Sequence, residues 1–426
     1  MSHDTVLHDI DHSKPASEDP SRLRTFFSIL RRFIGVTDIA TARFSLPAQL
    51  LEPTPNLEYW NYLDRPENFI SIGKSDDELG RMLEVLRFWF TKDVRYVQSK
   101  PCKPYNSVLG EFFRCYWETE DYQSPVLPNS AEDITAGVQA AGNGEKVKIS
   151  YLTEQTSHHP PVSAFYADCP QRGIIARGFD QITAKFSGTS IRIAPGKHNL
   201  GIFLNLQKRD NEEYRLTHPA AHIGGWLRGS LSISVSDTCY ITCPKTRIKT
   251  ILQYLEDGWL GRSHYRVVGV IFRYDPENDD KRKIKEVPES DVLATIDGSW
   301  HEQVYYTLAG SVERHLLIDI APLFPSSKVV PPEEKQLSNE SRRCWSGVTA
   351  AIHSRQYTLA TQKKHELEER QRVKAAIRME RNHEWKPRFF MFPVDSSGRP
   401  ELTADGRKVL ERLQQGDYTL EEKEVV

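Results

Sequence analysis

The sequence predicts a mainly β protein with flanking helices, built on an antiparallel meander that closes as a sandwich or a barrel. Three observations predict it. Between about Val108 and Asp319 the 426-residue chain breaks into short β-branched and aromatic runs, many of them alternating, divided by Gly, Pro, Asn or Asp. Before this region the apolar spacing is that of a helix, and after it a long charged run without Gly or Pro reads as another. The charge balance, 56 Lys and Arg against 58 Asp and Glu, belongs to an ordinary large globular chain with a sizeable core.

Residues 1–20 are polar and acidic and read as a disordered tail; they lack the basic start and apolar run of a signal peptide. "SRLRTFFSILRRFIG" follows. Phe26, Phe27, Leu30 and Phe33 recur at helical spacing, Arg31 and Arg32 flank them, Ser21 is a candidate N-cap and Gly35 a candidate stop. The stretch reads as a basic amphipathic helix, either docked on the core or touching a membrane. Residues 44–75 are rich in turn signals. "DDELGRMLEVLRFWF" is a helix with Leu79, Met82, Leu83, Leu86 and Phe90 on one side.

The strands are "VKISYLTEQ", "VSAFYA", "GIIARGF", "SIRIA", "GIFLNLQ", "SLSISVS", "CYITC", "YRVVGVIFRY", "DVLATID", "EQVYYTLA" and "RHLLIDI". "EFFRCYW" at 111 is also read as strand. Glu118 to Glu145 reads as a surface insertion. After "PLFPSSKVVPPEE" the strands stop, and "SRQYTLATQKKHELEERQRVKAAIRMERNHE", without Gly or Pro, is one long charged helix.

A formal charge of −2 gives no global pull toward nucleic acid, so no such partner is expected and any anion site is local. The six cysteines are too few and scattered for a disulfide scaffold; Cys239 and Cys243 read as packed thiols, and a reducing, cytoplasmic location is expected. No window approaches the roughly 20 apolar residues of a membrane span.

The oddest stretch is "EQTSHHPPVSAF", Glu154 to Phe165. Pro160 restricts His159 to extended backbone, and neither proline can donate to a ladder, so the histidine pair belongs at a strand end or rim. A metal would need a third ligand, and "HELEE" at 365 is not H-E-x-x-H. A hydrolase would need a nucleophile, and no G-x-S-x-G occurs. "GKS" at 73 is not a P-loop, because Asn68 stands where the first glycine must be. An anion is the third target, since imidazoles partly protonated near neutral pH donate to phosphate. It needs further cations. "KPYN" supplies Lys103 and Asn106. On the long helix Lys364, Glu368 and Arg372 form one stripe, with Glu368 placed to hold both cations, although an ordinary solvated face has the same spacing.

These motifs carry a resemblance. "EQTSHHPPVSAF" resembles the E-Q-V-S-H-H-P-P-[VI]-S-A-F signature of the oxysterol-binding protein family, "KPYNSVLGE" its K-P-x-N-P-x-L-G-E, and "LEERQR" its E-E-x-Q-R helix. Thr156 and Ser107 depart from the pattern. The resemblance covers about Leu46 to Asp405. It implies a large, nearly closed antiparallel β-barrel around an apolar lipid tunnel, with the N-terminal segment as lid. The implied divisions are a tail over 1–20, lid and helices over 21–100, the barrel core over 101–325 and a C-terminal helical subdomain and tail over 326–426. It also implies a lipid transfer protein, not an enzyme, that exchanges a sterol or oxysterol, or phosphatidylserine, for phosphatidylinositol 4-phosphate. A phosphoinositide or sterol sensor without net transport is the alternative. By motif, His158, His159 and Arg372 would bind the 4-phosphate, Lys103 and Asn106 the inositol-linked phosphate, and Lys364 and Glu368 would complete the mouth. Phe26, Phe27, Leu30, Arg31, Arg32 and Phe33 would form the lid and touch anionic membrane. No cofactor or metal is implied. A monomer is expected, short and single-domain, peripheral at membranes or membrane contact sites.

Overall fold

The computed structural model describes residues 28–29, 31, 35–36, 38, 51–98, 103–127, 145–224, 232–255, 265–392 and 396–422. The expected tail lies outside the described residues, as do Phe26, Phe27, Leu30, Arg32 and Phe33. Of the expected first helix, Ser28 and Ile29 are helical, and Gly35 takes a φ of +86°, which suits a helix stop.

The described chain begins with β1 (Leu51–Pro55), α1 (Asn56–Tyr59), α2 (Pro66–Ile70), α3 (Glu78–Thr91), α4 (Arg95–Gln98), β2 (Lys103–Tyr105) and β3 (Phe112–Glu120). Next come β4 (Lys146–His158), β5 (Pro161–Cys169), β6 (Ile174–Asp180), β7 (Ile182–Phe186), β8 (Ile191–Pro195), β9 (Ile202–Leu206), β10 (Glu212–Leu216) and β11 (Ala220–Gly224). Then follow β12 (Ser232–Ser236), β13 (Thr238–Cys243), β14 (Ile248–Tyr254), β15 (Arg266–Arg273), β16 (Val292–Ser299), β17 (Gln303–Leu308) and β18 (Arg314–Asp319). Helices α5 (Ser341–His353), α6 (Tyr357–Glu380) and α7 (Ala404–Gln415) close the order.

Every run read as strand forms one. Twelve strands build one antiparallel sheet in the order β18-β17-β16-β15-β14-β13-β10-β9-β6-β5-β4-β3. Four others leave it to form a smaller sheet, β12-β11-β8-β7, and β1 pairs with β2 in parallel. The strand order of the large sheet is open, with β3 and β18 at its ends, so a closed barrel is not what the ladder makes. The chain after β18 nevertheless reaches the far edge: Val329 and Tyr116 exchange backbone hydrogen bonds at 2.8 and 3.0 Å, and Phe112 N donates to Asn339 O at 3.2 Å. Both edges also feed one core, since Phe113, Cys115 and Trp117 of β3 and Leu317 of β18 belong to a single apolar cluster.

Helix α3 lies in that cluster. Asp77 caps it, accepting from Gly80 N at 3.0 Å. The expectation of one apolar side is corrected here: every residue from Gly80 to Thr91 is buried, because the sheet wraps the helix. Its polar groups are therefore bonded internally. Arg81 makes a two-pronged pair with Glu212 of β10, Nε and Nη2 each at 2.8 Å, and Glu84 accepts from Gly73 N and from Ser75 N and Oγ.

A second cluster covers the outer face of β3–β6, where Phe389, Phe390, Leu402 and α7 pack on Phe112, Leu152, Val162 and Phe179. A third joins α5 and α6 to β1 and β2 through Trp345 stacked on Tyr105, ring centroids 4.7 Å apart. The strand β3 runs to Glu120, so the insertion expected from Glu118 starts later; residues 128–144 lie outside the described residues. Cys115, Cys169, Cys239, Cys243 and Cys344 are free thiols, the first four buried. Among the described residues no helix is long and apolar enough to cross a membrane.

Candidate functional site

Strands β4 and β5 form a hairpin whose tip is His159–Pro160, with His158 paired to Pro161 across the turn and a cis peptide bond at the tip. The rim expected from the two prolines is this tip. One residue earlier the ladder slips: Gln155 pairs with Ser163 but Ser157 pairs with Val162, leaving Thr156 as a bulge whose hydroxyl donates to Val162 O at 3.2 Å. A bulge re-aims the side chains beyond it. The two imidazoles stand edge to face, centroids 4.7 Å apart.

Other motif residues converge on this tip. The Ser107 backbone hydrogen-bonds His158, and Glu368 is close enough to act on its charge. Lys103 Nζ donates to Asn106 Oδ1. Lys364 is buried and lies 3.3 Å from Glu368, one turn on. Lys103 keeps accessible surface, yet protein crowded round its ammonium, and then the nearby Lys364, push its pKa down to about 8. Burial, followed by repulsion from His159, likewise lowers the pKa of His158. Glu368, which pairs with Lys364, thus lies within electrostatic reach of both Lys103 and His158, and this gathering of donors suits an anion.

Arg372 is placed differently. Glu368 holds Lys364 as expected, but Arg372 Nη1 donates to Glu369 at 2.7 Å and the side chain is exposed. The expectation that Glu368 holds both cations is corrected: the i,i+3 carboxylate has captured the guanidinium.

Two motif glutamates hold the frame. Glu111 accepts from Trp345 Nε1 at 2.9 Å, Ser341 Oγ at 2.7 Å and Val108 N at 3.0 Å, tying the Lys103–Asn106 segment to α5. Glu154 accepts from Arg388 N and Phe389 N, both at 2.8 Å, tying β4 to the chain beyond α6. Burial pushes each carboxyl up to about 7. An unfolded glutamate titrates near 4.5, so between about 4.5 and 7 the folded state binds more protons and stability falls as pH rises. Urea midpoints from pH 4.5 to 7.5 are expected to show this fall, and Glu154→Gln, which has no proton to lose, to flatten part of it. An unchanged slope would remove Glu154 from the account.

A further polar group went unread in the sequence. Asp180 ends β6 and His218 precedes β11, both where the chain passes between the large and small sheets. Tyr62 donates to Asp180 at 2.6 Å and stacks on His218 at 5.4 Å, beside Trp89. Both titratable groups keep some surface, yet burial moves Asp180 up to about 7 and His218 down to about 3. The small sheet borders this seam and is two-faced. Ala184, Ile193, Ala221 and Val235 form one row across it and Phe186, Ile191, Ile223 and Ile233 the next, with Lys185, Arg192, His222 and Ser234 behind. Six of these eight apolar residues are only half-buried. Asp38 accepts from Ala184 N at 2.9 Å, so its carboxylate satisfies one donor of the edge strand β7.

The family model described as "Oxysterol-binding protein" matches residues 25–354, which include Lys103, Asn106 and both histidines but stop short of α6. The oxysterol-binding protein-like protein 1 of Schizosaccharomyces pombe is 43% identical over 94% of this chain and 93% of its own length. The human oxysterol-binding protein-related protein 9 is 32% identical over 81% of this chain, but only 44% of its own length is spanned. Among solved structures, the Osh1 ORD domain in complex with cholesterol superposes with a TM-score of 0.66 at 19% identity, over 98% of this chain and 92% of that one. The Saccharomyces cerevisiae Osh3 ORD in complex with PI(4)P gives 0.63 at 17% identity, over 92% and 93%. With its motifs gathered at one hairpin tip and nearly its full length matched, the chain belongs to the oxysterol-binding protein family.

Proposed function

We propose that this protein carries single lipids between membranes, exchanging phosphatidylinositol 4-phosphate for a second lipid, a sterol or phosphatidylserine. One observation carries the reading: Lys103–Asn106, His158–His159 and Lys364–Glu368, spread over more than 260 residues of sequence, meet at one rim. That arrangement suits the phosphates of an inositol lipid. The half-covered face of the small sheet suits its chains. Each buried methylene is worth about 0.8 kcal/mol, so a lipid with roughly thirty of them resists entering water by on the order of 20 kcal/mol, and a carrier must supply an apolar wall. Asp180, His218 and Tyr62 at the seam offer hydrogen bonds to one small neutral group. This favours a sterol hydroxyl as the polar end of the second lipid. Donor-to-acceptor liposome transfer, with native mass spectrometry of co-purifying lipids, tests the exchange; binding without transfer would leave a sensor.

Two expectations follow for the rim. Arg372 must leave Glu369 to reach the phosphate, so Arg372→Ala should weaken phosphoinositide binding about tenfold, and Arg372→Lys should restore it only in part because an ammonium lacks the guanidinium fork. Equal binding by all three would make Arg372 an ordinary surface residue. Removing residues 1–35 should slow transfer and increase leakage of bound lipid, since Ile29 packs beside the Tyr105–Trp345 cluster. Unchanged retention would end the lid assignment.

A further inference from the structure

The C-terminal half of α6 is left unexplained by the rim. The helix buries Ala360 and Leu367 in its first half. From Arg372 to Glu384 every residue except Arg378 is exposed. Residues 370–388 carry seven Lys and Arg against two Glu, in a chain of formal charge −2. The side chains of Arg370, Lys374, Arg381 and Lys386 form no ion pair among the described residues. Among them Val373, Ile377 and Met379 stand 51%, 38% and 83% exposed. Val373 and Ile377 share one helical face with Arg370, Lys374 and Arg381, while Met379 continues the stripe of Glu368 and Arg372.

We propose that this end of α6 is a docking surface for anionic bilayers, its cations meeting lipid phosphates and carboxylates and its three apolar side chains entering the headgroup layer. The proposal rests on the carrier reading and adds a surface apart from the lid. Charge complementarity selects the occupant, because unpaired cations bordering isolated apolar residues are what an interfacial helix presents. The exposure is on several sides. A folded protein partner would cover one face, whereas a headgroup layer surrounds a helix end. The position is also apt: at 1.5 Å per residue, Ile377 lies about 14 Å along the axis from Glu368, within a headgroup's reach of the rim.

The test is flotation of the full chain with phosphatidylcholine vesicles, with and without phosphatidylserine. Replacing Arg370, Lys374, Arg381 and Lys386 together by glutamine should lower partition onto the anionic vesicles about tenfold or more at low salt and change the neutral ones little. Val373→Ser with Ile377→Ser and Met379→Ser should lower both. Binding of soluble inositol 1,4-bisphosphate should be unchanged in either variant, and circular dichroism unaltered, because no altered side chain is in the rim or the core. Wild-type partition retained by the glutamine variant overturns the proposal, as does a wild type that binds neither vesicle. Failure of the wild type to bind the soluble headgroup would instead sink the carrier reading, a separate result.

Discussion

With His158 and His159 both replaced by alanine, extraction of phosphatidylinositol 4-phosphate is expected to be abolished while uptake of the second lipid persists. Each imidazole offers one charge-assisted hydrogen bond to phosphate, worth about 1.5–3 kcal/mol, so the double variant should lose roughly a hundredfold or more in affinity. Neither ring touches the Asp180–His218 seam, which is why the other ligand should be spared. Proton coupling sharpens the test. Burial, then repulsion from His159, lowers the pKa of His158, and a bound phosphate opposes both. Binding should therefore take up protons and strengthen as pH falls, a dependence the double variant should lose. Loss of both lipids with the fold intact would show that the pair is not a phosphate clamp; loss of neither would make it structural.

The largest effect on stability is expected at Glu212. Glu212→Ala leaves the Arg81 guanidinium enclosed between α3 and β10, with its two-pronged partner gone and Tyr214 without the carboxylate to which it donates. Both members of the pair are at most 7% exposed. Stranding one buried charge costs about 3–5 kcal/mol. The urea midpoint should fall accordingly. Replacing both at once, Arg81→Met with Glu212→Leu, should recover much of the loss, because apolar side chains of similar volume often substitute for a buried pair. If the double variant is as unstable as the single one, the cost lies in packing rather than in the uncompensated charge.

The same pair explains what the sequence concealed. Strands such as "VSAFYA" and "CYITC" were legible because their neighbours alternate in a local pattern. "EEYRL" was not, since its inward position is Glu212, and the residue that makes a glutamate acceptable there is 131 positions away. "IKTILQY" hid likewise behind Lys249, buried against Asp279. Helix α3 was read as one-sided because its polar residues mimic a solvent face; only the wrapped sheet reveals that Arg81 and Glu84 point into protein. At the rim, the residues proposed to hold the phosphates were legible as motifs. The roles of Glu111 and Glu154 were not, for each is satisfied by groups more than 200 residues later. Asp180 and His218 sit in no motif and become a pair only when two sheets meet.

The wrapped helix has a consequence for how the chain is made. Synthesis delivers α3 before any strand of the large sheet. Read from β3 to β18, that sheet then follows chain order without a reversal, the four strands of the small sheet being looped out on the way. Each newly emerging strand finds its neighbour already present at the growing edge, so the wall can be laid round its helix from one end during translation, with little exposure of unpaired edges to other chains. The segment that follows β18, around Val329 to Glu340, is the one that bonds β3 and draws the two ends together. A circular permutant opened between β9 and β10 would deliver half the wall before its helix, and the ribosome would release a curled sheet with nothing yet inside it.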